Sequence, residues 1–199
     1  MQLHYIGVIQ NDRRPGVDLC TADAVKDHYG FFERTVVGEF MYMYAKTLAE
    51  RTKPGQRIDI EEYERKCTFH AYARSEGICG VIATDLEYPK LAAHRLLNRV
   101  LDEFLTTYPK LTTWSAGKLS MPQLQDYLRE YQDPHKADVL LRIQDELNET
   151  KITMHKNIEN VLERGEKIDD LVAKSEGLST QSKMFYQQAK KQNSCCILM

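Results

Sequence analysis

From Leu140 to Ala189, apolar residues return in alternating steps of three and four: Leu140, Ile143, Leu147, Met154, Val161, Ile168, Leu171, Leu178, Phe185 and Ala189. Thr150, Asn157, Arg164, Ser175 and Ser182 fill the remaining positions of the same repeat. A seven-residue apolar period makes a seam that only another helix can cover, so residues 136–192 read as a coiled-coil strand. Ile158, Val172 and Tyr186 each stand immediately after a seam position. They widen the stripe toward what a helix with several neighbours must cover, which fits a bundle of more than two strands. Gly165 and Gly177 each cost about 1 kcal/mol relative to alanine in a helix interior. The segment is therefore expected to be weakly helical alone and to fold on binding.

Arg164 interrupts the seam with a cation. Removing one partner of a buried charge costs about 3–5 kcal/mol, and no seam residue is acidic, so in a bundle the acceptors must come from other chains. A polar group at one seam position also penalises every shifted alignment, which makes Arg164 a register pin. The pattern leaves a second reading open, an amphipathic helix whose arginine reaches out to water.

Val161, Leu162, Glu163, Arg164, Gly165, Glu166, Lys167 and Ile168, followed by Leu171, resemble the centre of an R-type SNARE motif. The resemblance implies that Arg164 is the central layer and faces three glutamines, one from each of three Q-SNARE helices. It also implies that the four-helix assembly draws two membranes together.

Cys196, Ile197, Leu198 and Met199 match the prenylation box, and a final methionine favours farnesyl on Cys196. One hydrocarbon chain gives only reversible membrane binding, at about 0.8 kcal/mol per buried CH₂, so stable attachment needs a second signal. Cys195 is the candidate for palmitoyl or another second lipid, with Lys183, Lys190 and Lys191 upstream as weak basic support. Residues 193–199 thus read as a lipidated tail. No run of 18 apolar residues is present to span a bilayer.

Residues 1–132 follow a different pattern. Leu3 to Ile9 is a mostly apolar run turned back by Asp12 to Gly16, which predicts two strands. Val37, Phe40, Met41, Tyr44 and Leu48 have helical spacing, ending before Pro54 and Gly55. Strands are expected near Arg57 to Glu61, over the alternating Cys67, Phe69, Ala71 and Ala73, and over Ile78 to Ala83. Pro89 opens a second helix closed by Pro109, and Ser120 caps a third through Leu124 and Leu128. The result is an α+β domain with a five-stranded antiparallel-type sheet and three helices. Its order, with Glu87, Tyr88, Pro89 and Leu101, Asp102, Glu103, Phe104 as local motifs, resembles the profilin-like longin domain found ahead of some R-SNAREs.

Phe40, Met41, Tyr42, Met43 and Tyr44 make the first helix apolar on nearly every side, more than one sheet contact can bury. Two accounts stand level. The resemblance implies that the longin domain folds back on the SNARE helix or shelters the lipid, with Phe40 and Met43 on the regulatory surface. The plainer account is burial between the sheet and the second helix. Ser175 and Ser182 suggest a control point, because phosphate in a packed seam brings about two negative charges into the core.

Other classes lack their chemistry. A net charge of −2 gives no general attraction to nucleic acid. There is no Gly-rich loop ending in Lys and Ser or Thr and no glycine-framed nucleophile, so neither a GTPase nor a hydrolase is expected. The histidines lack metal-binding helical spacing, Glu61 with Glu62 reads as a solvated strand end, and Cys20, Cys67 and Cys79 read as buried small apolar residues. No enzyme activity, metal or cofactor is expected beyond the covalent farnesyl and palmitoyl groups. The chain reads as a lipid-anchored R-SNARE moving between the cytosol and the cytoplasmic face of Golgi, ER-Golgi, endosomal or vacuolar membranes. A non-fusogenic lipid-anchored trafficking adaptor is the alternative.

Overall fold

The computed structural model describes residues 2–24, 30, 33–109, 114, 119–133 and 151–195. Strands β1 (Leu3–Gln10) and β2 (Val17–Asp23) form a hairpin, followed by helix α1 (Glu33–Arg51). Strands β3 (Arg57–Glu62), β4 (Cys67–Ala73) and β5 (Ile78–Asp85) come next, then helices α2 (Lys90–Thr107) and α3 (Gln123–Glu130). The repeat region supplies strand β6 (Ile152–His155), a 3₁₀ turn (Ile158–Val161), and helices α4 (Ile168–Lys174) and α5 (Thr180–Cys195).

Among the described residues the sheet has six strands in the order β2-β1-β5-β4-β3-β6. The five expected strands pair antiparallel, and β6 adds to β3 in parallel. Helices cover both faces, which is why β1 is buried along its whole length and reads as a continuous apolar run. On one face α2 and α3 pack on Ile6, Val8, Ile78 and Ile82. Gly80 lets α2 come close, since a Cβ there would lie 2.9 Å from Leu97 Cδ2. On the other face α1 packs on Ile58, Ile60, Phe69, Ala71 and Val81, with Tyr44 stacked on Phe69 at 5.5 Å between ring centroids.

This arrangement excludes burial of α1 between the sheet and α2. Helix α2 lies on the opposite face and cannot cover it. Its outer side is covered by Ile158, Val172 and Leu178, all buried in the same cluster, with Val161, Ile168 and Tyr186 packed at the edge. The third helix starts after Pro122 rather than at Ser120, whose carbonyl accepts the Tyr108 hydroxyl at 2.8 Å.

In the isolated chain the described part of the repeat is not one helix. It is broken at Gly165, which takes φ +87°, a conformation that an L side chain adopts only with strain. With no partner helices to cover the seam, its apolar residues find cover on α1 instead.

Candidate functional site

The segment docks first by backbone. Edge strand β3 offers unpaired amides and carbonyls, and Ile152 to His155 align with Arg57 to Ile60. Ile158 N–H then donates to the Glu62 carboxylate at 2.6 Å. Glu62 is buried, so it is an acceptor for the docked segment rather than the solvated strand end expected. Asn157 caps the 3₁₀ turn, its side chain accepting from Asn160 N–H at 3.2 Å.

The turn around Arg164 is held by its neighbours. Arg51 of α1 donates to both carboxylate oxygens of Glu166, at 3.0 and 2.8 Å, and Arg14 pairs with Glu163. Burial works against the Glu166 charge, but the hydrogen bonds from Arg51 and from the Glu163 amide, with the charge of Arg51, together outweigh it and hold the carboxyl below its usual range. The hydrogen bond from Arg14 does the same for Glu163. Arg164 itself points to solvent from the turn. The cost of burying a lone guanidinium therefore does not arise here.

Beyond the turn, Val172 and Leu178 bury against α1, and the Tyr186 ring lies 5.9 Å from that of Phe40. The Arg65 guanidinium stacks over Tyr44 at 4.4 Å and over Phe40 at 5.5 Å. Met43 lines a groove together with Leu171, Ser175 and Gly177. Ser179 N–H donates to Glu39 of α1 at 2.8 Å, and Ser182, fully buried, has its hydroxyl 3.2 Å from that of Ser179. Burial raises the Glu39 carboxyl, and the hydrogen bonds from Ser179 and Ser182 more than reverse that shift.

The structure thus brings Phe40 and Met43 together with the repeat and divides the seam. Leu178 is buried against α1; Val161, Ile168, Leu171 and Ala189 are half-buried; Met154 and Phe185 are exposed at 52% and 56%. Leu140, Ile143, Leu147 and Cys196 lie outside the described residues, and α5 ends at Cys195. Ile158, Val172 and Tyr186, taken from spacing as bundle flank, pack against α1 together with Leu178.

Sequence reasoning missed one buried cluster. Asp59 Oδ1 lies 2.8 Å from His70 Nδ1 and 2.7 Å from His94 Nε2, with all three residues wholly buried between the sheet and α2. These residues come from three separate elements, so no spacing announces them. Only the polar parity of His70 within an alternating strand hinted at a special contact. The trio has metal-ligand chemistry, yet its geometry fits shared protons. The Arg57 guanidinium sits 3.3 Å from His94 Nδ1, which must then accept and leave Nε2–H to donate to Asp59. A divalent ion would place further positive charge beside that buried guanidinium. Burial drives the His94 pKa below its ordinary value, consistent with a neutral ring. Burial also opposes the Asp59 charge, but hydrogen bonds from His70 and His94 prevail and hold it ionised. The three buried cysteines are free, their thiols pushed up to about 12 by burial.

Known protein families match two segments of the chain. A family model described as a regulated-SNARE-like domain, or longin, matches residues 26–128, and the synaptobrevin model matches residues 139–197. The synaptobrevin homologue ykt6 of Schizosaccharomyces pombe is 53% identical over 200 residues, covering all of both chains. The YKT6 homologues of Saccharomyces cerevisiae and Yarrowia lipolytica are 52% and 50% identical, again across the whole of each chain. The chain belongs to the Ykt6 family of synaptobrevin homologues. It is accordingly a longin-domain SNARE of vesicle fusion, a non-enzymatic protein of membrane trafficking compartments. Among the described residues no helix is long and apolar enough to cross a membrane.

Proposed function

We propose that this chain is an R-SNARE whose SNARE segment alternates between two partners, its own longin domain and three Q-SNARE helices. The observation that carries the reading is the docking of Ile158, Val172 and Leu178 on α1, the apolar helix for which the sequence predicted a second cover. In the fusion complex residues 136–192 straighten into one helix, the seam from Leu140 to Ala189 faces the bundle core, and Arg164 moves from solvent into the central layer. Binding energy from the seam offsets the loss of the α1 contacts, so closure sets the rate at which an unassembled chain becomes available.

Residues 1–132 act as the regulator, with Phe40 and Met43 on its working surface. Residues 193–199 carry the anchor, farnesyl on Cys196 and palmitoyl or another second lipid on Cys195. One lipid permits exchange with the cytosol and two retain the protein on Golgi, ER-Golgi, endosomal or vacuolar membranes.

The test is to mix the full chain with sets of three Q-type SNARE helices and follow helicity and thermal melting. A large gain in helix with cooperative melting, weakened by Arg164→Asp, is expected. No gain with any set would refute the reading and leave a lipid-anchored adaptor.

A further inference from the structure

The residues that hold the segment on α1 share a register. Ile158, Gly165, Val172, Ser179 and Tyr186 are seven apart, and each directly follows a seam residue: Asn157, Arg164, Leu171, Leu178 or Phe185. Ile158 and Val172 are buried at 3% and 4%, Ser179 donates its amide to Glu39, and Tyr186 lies against Phe40. At Gly165 no side chain is needed, because Arg14 and Arg51 grip the flanking Glu163 and Glu166.

The docked conformation supplies no geometric cause for this spacing. Ile158 sits in a 3₁₀ turn, Val172 in α4 and Tyr186 in α5, three elements separated by turns. A seven-residue period aligns side chains only in a continuous bundle helix, where these positions form one flank beside the seam. Meanwhile two apolar seam residues, Met154 and Phe185, face solvent in the docked state.

We propose that the segment carries two superimposed seven-residue codes, the seam read by partner SNARE helices and the adjoining flank of Ile158, Val172 and Tyr186 read by the longin domain. Closure and bundle strength are then set by largely different side chains. Leu178 and Ser182 are seam positions also buried against α1, and the seam residues Val161 and Ile168 pack at the edge of the same cluster, so these four serve both states. The proposal deepens the two-partner reading above and rests on it.

The experiment uses the full chain with three Q-type SNARE helices, measuring assembly rate and the melting temperature of the assembled complex. Ile158→Ala and Val172→Ala are compared with Phe185→Ala, and Phe40→Glu serves as the control for closure itself. Ile158→Ala and Val172→Ala should each speed assembly by about tenfold or more, as expected from losing two or three buried methyl or methylene groups. Complex melting should stay within a few degrees, since alanine is a good helix former on a flank. Phe185→Ala should lower complex melting and leave the assembly rate without acceleration. The proposal is overturned if the flank variants lower complex melting as much as Phe185→Ala, or if they leave the rate unchanged while Phe40→Glu raises it. If Phe40→Glu also leaves the rate unchanged, closure itself is wrong and the flank code falls with it.

Discussion

Replacing Glu166 by glutamine isolates the ionic part of closure. In the docked chain Glu166 takes two hydrogen bonds from Arg51, whose side chain is 10% exposed against 24% for Glu166. Two unit charges about 4 Å apart interact by about 4 kcal/mol at an effective dielectric of 20 and by about 1 kcal/mol in water. A partly screened, bidentate pair falls between, near the ~2 kcal/mol typical of a hydrogen bond to a charged group. In the bundle helix position 166 lies away from the seam, so the loss falls on the closed state alone. About 2 kcal/mol is about a thirtyfold change in the closed-to-open ratio. It is read as a matching acceleration of assembly with Q-type helices at low salt, shrinking as salt is raised. Arg51→Gln and the double variant complete a cycle. If the two single effects simply add, with coupling below about 0.5 kcal/mol, the ion pair does not hold the segment and the reasoning fails. The sign with pH follows from the lowered Glu163 and Glu166 pKa values. Their contribution is present above about pH 4.3 and is lost as pH falls through the lowered folded values.

Three other perturbations probe separate layers. Gly80→Ala pushes a methyl to 2.9 Å from Leu97 and 3.2 Å from Leu101; thermal melting of the longin domain should fall by the equivalent of about 1–3 kcal/mol, the usual cost of overpacking. His94, whose folded pKa is lowered chiefly by burial, contributes stability that is complete above its unfolded value of about 6.5 and is lost as pH falls below it. Urea midpoints should therefore drop between about pH 7.5 and 5.5, less so in His94→Gln. Ser182→Asp sets a carboxylate in a fully buried position beside the Ser179–Glu39 contact; proteolysis should reach residues 151–195 sooner, and the assembled complex should melt lower.

The strands and helices of the longin domain were legible because each shows its own period. Cys67, Phe69, Ala71 and Ala73 alternate toward α1, and the apolar residues of α2 recur at helical steps toward the opposite face. The surplus apolarity of α1 was legible as well, but not its cover, since spacing cannot say which surface two amphipathic elements share. Strand β6 was hidden for a physical reason. Residues 152–155 carry the same seven-residue pattern as their neighbours, and their pairing follows from the open edge of β3, a tertiary property. Ile158, Val172 and Tyr186 were noticed as the flank of a bundle helix but not as contacts to α1, because a period reports which residues share a face without naming the partner. Glu62 and the Asp59–His70–His94 cluster depend on elements far apart in sequence, so a local pattern could not reveal them.

If one segment alternates between two exclusive partners, the distance between spin labels on α5 and on the longin domain must change on assembly. Labels at the exposed positions Lys53 and Gln187 report whether α5 lies along the longin domain. In the isolated full chain a single narrow distance is expected, matching the docked structure. Adding three Q-type SNARE helices should replace it with a longer, broader distribution as helix content rises. A narrow distance that persists in the assembled complex would show that docking and assembly do not compete, and a broad distribution in the isolated chain would show that the segment is not held at all.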